Sequence, residues 1–228
     1  AGDAITTGNY NLAIGHQALS ATTTANYNVA VGRSALFTNI LGSHSTAIGI
    51  SALETQNYAT ATAAYNVAVG HEAGLSVTTG TSNTLIGGLA GDALTDADDN
   101  VAIGYAALTR DTLGSNTVAI GKGVLANQNF TSATDTYNTA VGHLAGAEVT
   151  TGVQNTLMGG LAGDALTTGG NNVAVGHNAL TTETGASASV AIGKEALRDQ
   201  NVSSGSSYNV AVGFEAGKLV TTGTSNTL

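Results

Sequence analysis

Four of the five histidines, His16, His71, His143 and His177, each directly follow a glycine. Imidazoles placed so regularly suggest metal ligation or proton transfer. A second candidate is the acidic group Asp92, Asp96, Asp98 and Asp99, whose hard oxygens are the ligands Ca²⁺ takes. Glu72 and Glu215 are carboxylates of the type glycosidases use in pairs. The glycine-rich run GGLAGDAL occurs at 87–94 and 159–166, and glycine-rich loops can cradle phosphate. Finally, the segments 54–65 (ETQNYATATAAY), 126–137 (ANQNFTSATDTY) and 198–208 (RDQNVSSGSSY) each carry Gln-Asn. Two of them add an aromatic, Tyr58 or Phe130, a combination suited to stacking and adaptable hydrogen bonding with sugars or proteins.

The chemistry in most of these fails on spacing. The acids lack the EF-hand pattern, and the equivalent turn at 167–172 reads TTGGNN, without acid. GGLAGDAL fits neither GxxxxGK[ST] nor GxGxxG. Ser and Thr are too abundant for a Ser-His-Asp order to carry information. With no Cys in the chain, disulfides and thiolate zinc sites are excluded. Six Lys+Arg against fifteen Asp+Glu, a net charge of −9, argue against a phosphate-neutralising groove and hence against nucleic acid. No apolar run approaches the ~18 residues of a membrane-spanning helix. These features lead to the expectation of no catalytic residue, no metal, no cofactor and no membrane insertion.

The elements that hold these residues follow from an internal repeat. A pentapeptide of the form Asn-Val-Ala-Val-Gly recurs with glycines at Gly15, Gly32, Gly49, Gly70, Gly87, Gly104, Gly121, Gly142, Gly159, Gly176, Gly193 and Gly213. Most steps are 17 residues; every fourth is 20 or 21. The residue before each glycine is Ile, Val or Met158; two before is Ala, or Leu at 85 and 157; four before is Asn, or Ser45, Thr117 and Ser189. Alternating β-branched residues indicate strand. Seventeen residues suit two short strands and two turns, with glycine supplying positive-φ corners. The second strand is expected to begin three residues after the glycine, at Ala18, Ala35, Ala52, Ala73, Ala90 and Ala107. Stacked at ~4.8 Å per coil, twelve coils give a parallel β-solenoid of about 55–60 Å. Ala in the strands and the scarcity of aromatics (4%) fit a narrow interior.

Position within the coil then sorts the candidates. The post-glycine slot also holds Arg33, Ile50, Tyr105, Lys122, Lys194 and Phe214, so it is a variable, outward corner. His71 and His143 stand four coils apart, roughly 19 Å at the spacing of stacked strands, which excludes shared ligation within a chain. Glu72 and Glu215 occupy equivalent slots, as does Leu144. The Gln-Asn segments are the lengthened coils. Insertions in solenoids gather on one face and often bind, so Gln56, Asn57, Tyr58, Gln128, Asn129, Phe130, Gln200 and Asn201 are the candidate receptor-contact residues, with bracing as the competing role. The strand is apolar on both faces. One face fills the coil, and the other requires a partner, which predicts self-association.

The units NLAIGHQAL (11–19), DNVAIGYAAL (99–108) and NNVAVGHNAL (171–180) resemble the head repeats of trimeric autotransporter adhesins of the YadA type. The run TTGGNNVAVGHNAL (167–180) resembles repeats of bacteriophage tail fibres. The resemblance covers the whole chain. It implies a left-handed parallel β-roll, a homotrimer, and an extracellular fibre, on a virion or a bacterial surface, that engages a cell-surface glycan or protein. No neck, coiled-coil stalk, anchor barrel or chaperone segment accompanies the repeats. The array 1–228 forms a single domain that stops within a repeat, since Asn226-Thr227-Leu228 matches Asn83-Thr84-Leu85. Ranks of Thr, such as Thr78-Thr79 and Thr150-Thr151, keep an ice-binding solenoid as a rival of another class.

Overall fold

The computed structural model describes all residues, 1–228. It is an all-β parallel solenoid of about twelve turns, without a helix. One strand per turn, from Leu12–Ile14 through Val101–Ile103 to Val210–Val212, joins a single twelve-stranded sheet in chain order. The pairing is parallel and in register: Ala13 faces Ala30, Ala102 faces Ala119, and Ala47 faces Ala68 across a longer coil. The central Ala of each strand points inward, fully buried at Ala30, Ala68, Ala102 and Ala174. The β-branched residues on either side point outward. Ala18, Ala35, Ala52 and the Leu that follows each line the remainder of the core.

The strands are only three residues long, so the turns do most of the stacking. Of 132 backbone hydrogen bonds, 108 lie outside paired strands. Many join equivalent turn positions of successive coils, as in Leu19 N–H to Ala35 O at 3.1 Å and Leu36 N–H to Ala52 O at 3.1 Å.

The expected second strand is absent. Residues 16–21 and their equivalents form turns, because two residues there are left-handed: Gln17 (φ 61°) and Leu19 (φ 51°), repeated at Ser34 and Leu36. Two left-handed residues two positions apart curl the chain and forbid extension. Alternating small residues suggested strand only because the sequence does not display φ. Short second-layer pairs do exist, but only beside the lengthened coils: Gly42–Ser43 with Thr62–Ala63, and Gly114–Ser115 with Thr134–Asp135.

A third left-handed position falls five residues before each repeat glycine. Asn116 (φ 59°) and Asn171 (φ 58°) suit it, but Ala188 (φ 60°) does not. Left-handed backbone is costly for a residue with Cβ, and Asn bears it best. Ala188→Asn is therefore expected to stabilise the chain by about 0.5–1 kcal/mol, seen as a rise in the thermal unfolding midpoint.

The core also conserves volume between coils. Where Leu85 replaces the strand Ala, glycines stand at 74 and 91; a Cβ on either would lie 2.7 Å from a Leu85 methyl. Gly146 and Leu157 repeat the exchange, at 2.7 Å.

Candidate functional site

Four residues before each repeat glycine the side chain turns into the coil and builds an amide ladder. Asn66 Oδ1 accepts from Asn83 N–H at 2.9 Å, and Asn83 Oδ1 accepts from Asn100 N–H at 3.0 Å. Each Nδ2 donates to a carbonyl of the following coil, such as Asn83 to Ala97 O at 2.7 Å. These amides are fully buried, and buried polar groups survive only when bonded. A hydroxyl residue (Ser45, Thr117 or Ser189) replaces the Asn just before each lengthened coil, and a hydroxyl cannot hold up the next rung.

The lengthened coils supply the missing amide. Gln56, Gln128 and Gln200 are all fully buried. Gln56 Oε1 accepts from Asn66 Nδ2 at 2.9 Å, Gln128 Oε1 from Asn138 Nδ2 at 2.9 Å, and Gln200 Oε1 from Asn209 Nδ2 at 2.7 Å. Their Nε2 groups reach Ser45, Thr117 and Ser189. They also reach one residue of the preceding coil: Asn39, Asp111 (2.6 Å) or Glu183 (3.0 Å). Asp111 and Glu183 are fully buried and are met by amide and backbone N–H donors rather than by a cation, as in Phe130 N–H to Asp111 Oδ1 at 3.1 Å.

The aromatics of these coils also point inward. Tyr58 donates to Gly80 O at 2.7 Å and accepts from Asn66 Nδ2 at 3.2 Å; burial pushes its phenol well above the usual tyrosine range. Its ring lies on Gly42, where a Cβ would be 2.8 Å away. Phe130 is equally buried. Five of the eight expected receptor-contact residues (Gln56, Tyr58, Gln128, Phe130 and Gln200) are thus interior braces. An unbonded amide inside a narrow coil is too costly to leave exposed chemistry in charge of its placement. Asn57, Asn129 and Asn201 remain at the surface, beside exposed tips at 59–61, 131–133 and 203–206. The three tips repeat every four coils, about 19 Å apart along the rod at the spacing of stacked strands.

The other sequence candidates scatter. His16, His71, His143 and His177 all face solvent. Asp96 bonds the Thr79 and Thr78 hydroxyls, at 2.5 and 2.8 Å, which hold its carboxyl below the usual range. Asp98 bonds Thr81 at both backbone and hydroxyl. Lys194, Arg198 and Lys218 pair with Glu195, Asp199 and Glu215, the shortest pair being Lys218–Glu195 at 2.6 Å.

The second apolar strand face expected from the sequence is present, and one further surface feature was not singled out from the sequence. The outward residue before each repeat glycine is aliphatic in every coil, most open at the rod ends (Ile14 at 54%, Val212 at 59%), exposed at Ile48, Ile86, Met158 and Ile192 and half-buried at the others, while the outward residue two earlier is Thr at 46, 84, 139 and 156. Beside it, the left-handed corner position stacks Tyr10 on Tyr27 (5.0 Å between centroids, planes within 10°) and Tyr27 on His44 (5.0 Å, 25°), with Tyr65 tilted by 35° against His44 at 5.1 Å. The ladder becomes visible once the coils are aligned on the repeat glycine, as the residue five before it in four successive coils.

Comparison of the chain with protein-family models, with curated proteins and with solved structures returned no match. The functional reading therefore rests on the chain's own surface.

Proposed function

We propose that the chain is a segment of an extracellular structural and adhesive fibre, in which three copies pack their aliphatic faces together. The observation that carries this is the outward aliphatic column of Ile, Val and Met158, partly or fully open to solvent, which runs the length of the twelve-stranded sheet. Monomers rarely leave contiguous apolar patches beyond a few hundred Å² in water, and burial of such area drives association. The resemblance of the repeats to phage tail fibres and to trimeric adhesin heads supports three-fold assembly, left-handed coiling and the location on a virion tail or a bacterial surface. Receptor engagement would be multivalent, since features repeated along a stiff rod gain avidity from weak sites. Seventeen-residue coils with a longer one every fourth set the period of that repetition. The reading includes no catalysis.

Light scattering tests the assembly. The expected mass is close to three times the 22.4 kDa chain; the mass of one chain defeats the proposal. The variant Ile103→Lys/Ile120→Lys, placed mid-face on adjacent strands, is expected to give monomers that keep the β circular-dichroism signal.

The ice-binding rival needs free hydroxyl ranks. Here Thr95, Thr150 and Thr167 donate their hydroxyls to carbonyls of the next coil, at 3.0, 3.1 and 2.8 Å, so the rank serves stacking. No thermal hysteresis is expected.

A further inference from the structure

We propose that the aromatic ladder Tyr10–Tyr27–His44–Tyr65 is a binding track for an extended, neutral polysaccharide lying along the rod. The inference rests on the reading of the chain as an adhesive fibre and names the partner of one part of it.

Regularity is the first support. The rings advance one per coil with centroid steps of 5.0, 5.0 and 5.1 Å. Such a step is longer than the van der Waals thickness of a ring, about 3.5–4 Å between carbon atoms. The rings must therefore lie shingled rather than squarely stacked, which leaves part of each face open. All three tyrosines are more than half exposed, so the stack is not serving a core. A polymer of six-membered sugar rings offers flat C–H faces at a comparable repeat. Tyrosine suits such a partner, with an apolar face for stacking and a hydroxyl at the rim.

The polar rim is the second support. The position preceding the ring holds Asn9, Asn26 and Ser43 in the first three coils and Ala64 in the fourth. The first three are ordered by backbone bonds: Asn9 N–H to Asn26 Oδ1 at 2.7 Å, and Asn26 N–H to Ser43 Oγ at 3.0 Å. Preformed amides and hydroxyls beside aromatic faces match the donors and acceptors of sugar hydroxyls.

Charge is the third. Residues 1–65 contain only Asp3, Arg33 and Glu54 as charged side chains apart from histidine, and none occupies the ring column or its rim. The run of rings ends one coil beyond Tyr65, at Ser82; in the next coil Asp99 takes the ring column and Asp98 its rim, and later rings in the column, Tyr137 and Tyr208, stand alone. A track without charge complements a neutral polymer and gives a charged one nothing to pair with.

The ladder can be removed without disturbing the fold, because Asn occupies the same left-handed position at Asn116 and Asn171. The test compares the full chain with Tyr10→Asn/Tyr27→Asn/Tyr65→Asn, and with Tyr137→Asn, which removes an exposed ring outside the ladder. Affinity gel electrophoresis is run against hydroxyethyl cellulose, laminarin and dextran, with alginate as the charged control. Tyrosine emission gives a second readout undisturbed by tryptophan, which the chain lacks. At least one neutral glucan is expected to retard the unaltered chain and perturb its emission. The triple variant should bind at least ~10-fold more weakly, as when aromatic anchors are removed from an interface, while Tyr137→Asn binds as before. The proposal is overturned by no retardation in any neutral glucan, by retardation in alginate alone, or by undiminished binding of the triple variant. Loss of assembled mass in the triple variant also overturns it, since the rings would then be a contact between copies. The mass of the unaltered chain reports on the fibre reading separately.

Discussion

Gly87→Ala is expected to divide the solenoid into two poorly coupled halves. A Cβ at Gly87 would sit 2.6 Å from Gly104 O in the next coil, and φ is +131°. The obstruction is backbone, which cannot rotate aside, and the dihedral lies in a region open essentially to glycine alone. The combined cost is at least ~3 kcal/mol, from strained dihedrals and overpacking. In a stack where each coil touches only its neighbours, that loss is localised at one interface. Thermal unfolding should broaden or split, and limited proteolysis should cut near residue 87. Gly205→Ala provides the contrast. With φ +86° and no atom within 4 Å of the added carbon, it should cost about 1 kcal/mol, the dihedral penalty alone. Equal effects from the two substitutions would refute steric stacking as the reason for the repeat glycine.

Gln128→Ala is expected to destabilise more than Gln56→Ala, although the two residues hold equivalent places. Both substitutions remove one acceptor from a buried amide of the next coil, which keeps a carbonyl (Gly80 O or Gly152 O), and one partner from a hydroxyl of the preceding coil, where Thr117 keeps Thr136 at 2.7 Å. Gln128 additionally donates to the Asp111 carboxylate at 2.6 Å, where Gln56 meets the neutral Asn39 amide at 3.3 Å. Leaving buried neutral polar groups unpaired costs about 1–3 kcal/mol, and more where the group left short of a donor is a carboxylate, although Asp111 keeps the N–H donors of Gly114 and Phe130. Urea unfolding of the two variants and the parent chain measures the difference. An equal loss would mean that Asp111 does not depend on Gln128.

The coil and its inward face are plainly written in the sequence, because every coil repeats the same physical problem. Ala68 and its equivalents must fit a narrow interior, and the glycine must pass close under its neighbour. The turn at 16–21 is not, since Gln17, Ser34 and Glu72 share no side-chain chemistry, only a left-handed φ. The lengthened coils misled for a different reason. Gln-Asn-Tyr in isolation looks like a contact loop, whereas its role is set by Ser45, a residue missing its amide one coil earlier. That relation is present in the sequence three times, as Ser45 with Gln56, Thr117 with Gln128 and Ser189 with Gln200, but it is a correlation across coils rather than a local motif. The aromatic ladder hides similarly. Tyr10, Tyr27, His44 and Tyr65 are separated by 17, 17 and 21 residues and become neighbours only after winding.

The hydrogen bonds between coils run along the rod axis, and this sets how the molecule yields to force. Tension on the two chain ends loads one end coil at a time, since each coil is bonded only to the next. The rod should peel rather than shear. Each event frees seventeen or more residues, about 55–60 Å of extended chain at ~3.4 Å per residue, in exchange for one coil of height. A single molecule stretched by its two ends would lengthen in near-equal steps, with a longer step at every fourth coil. Such a tether dissipates a sudden pull in instalments and keeps its remaining length rigid.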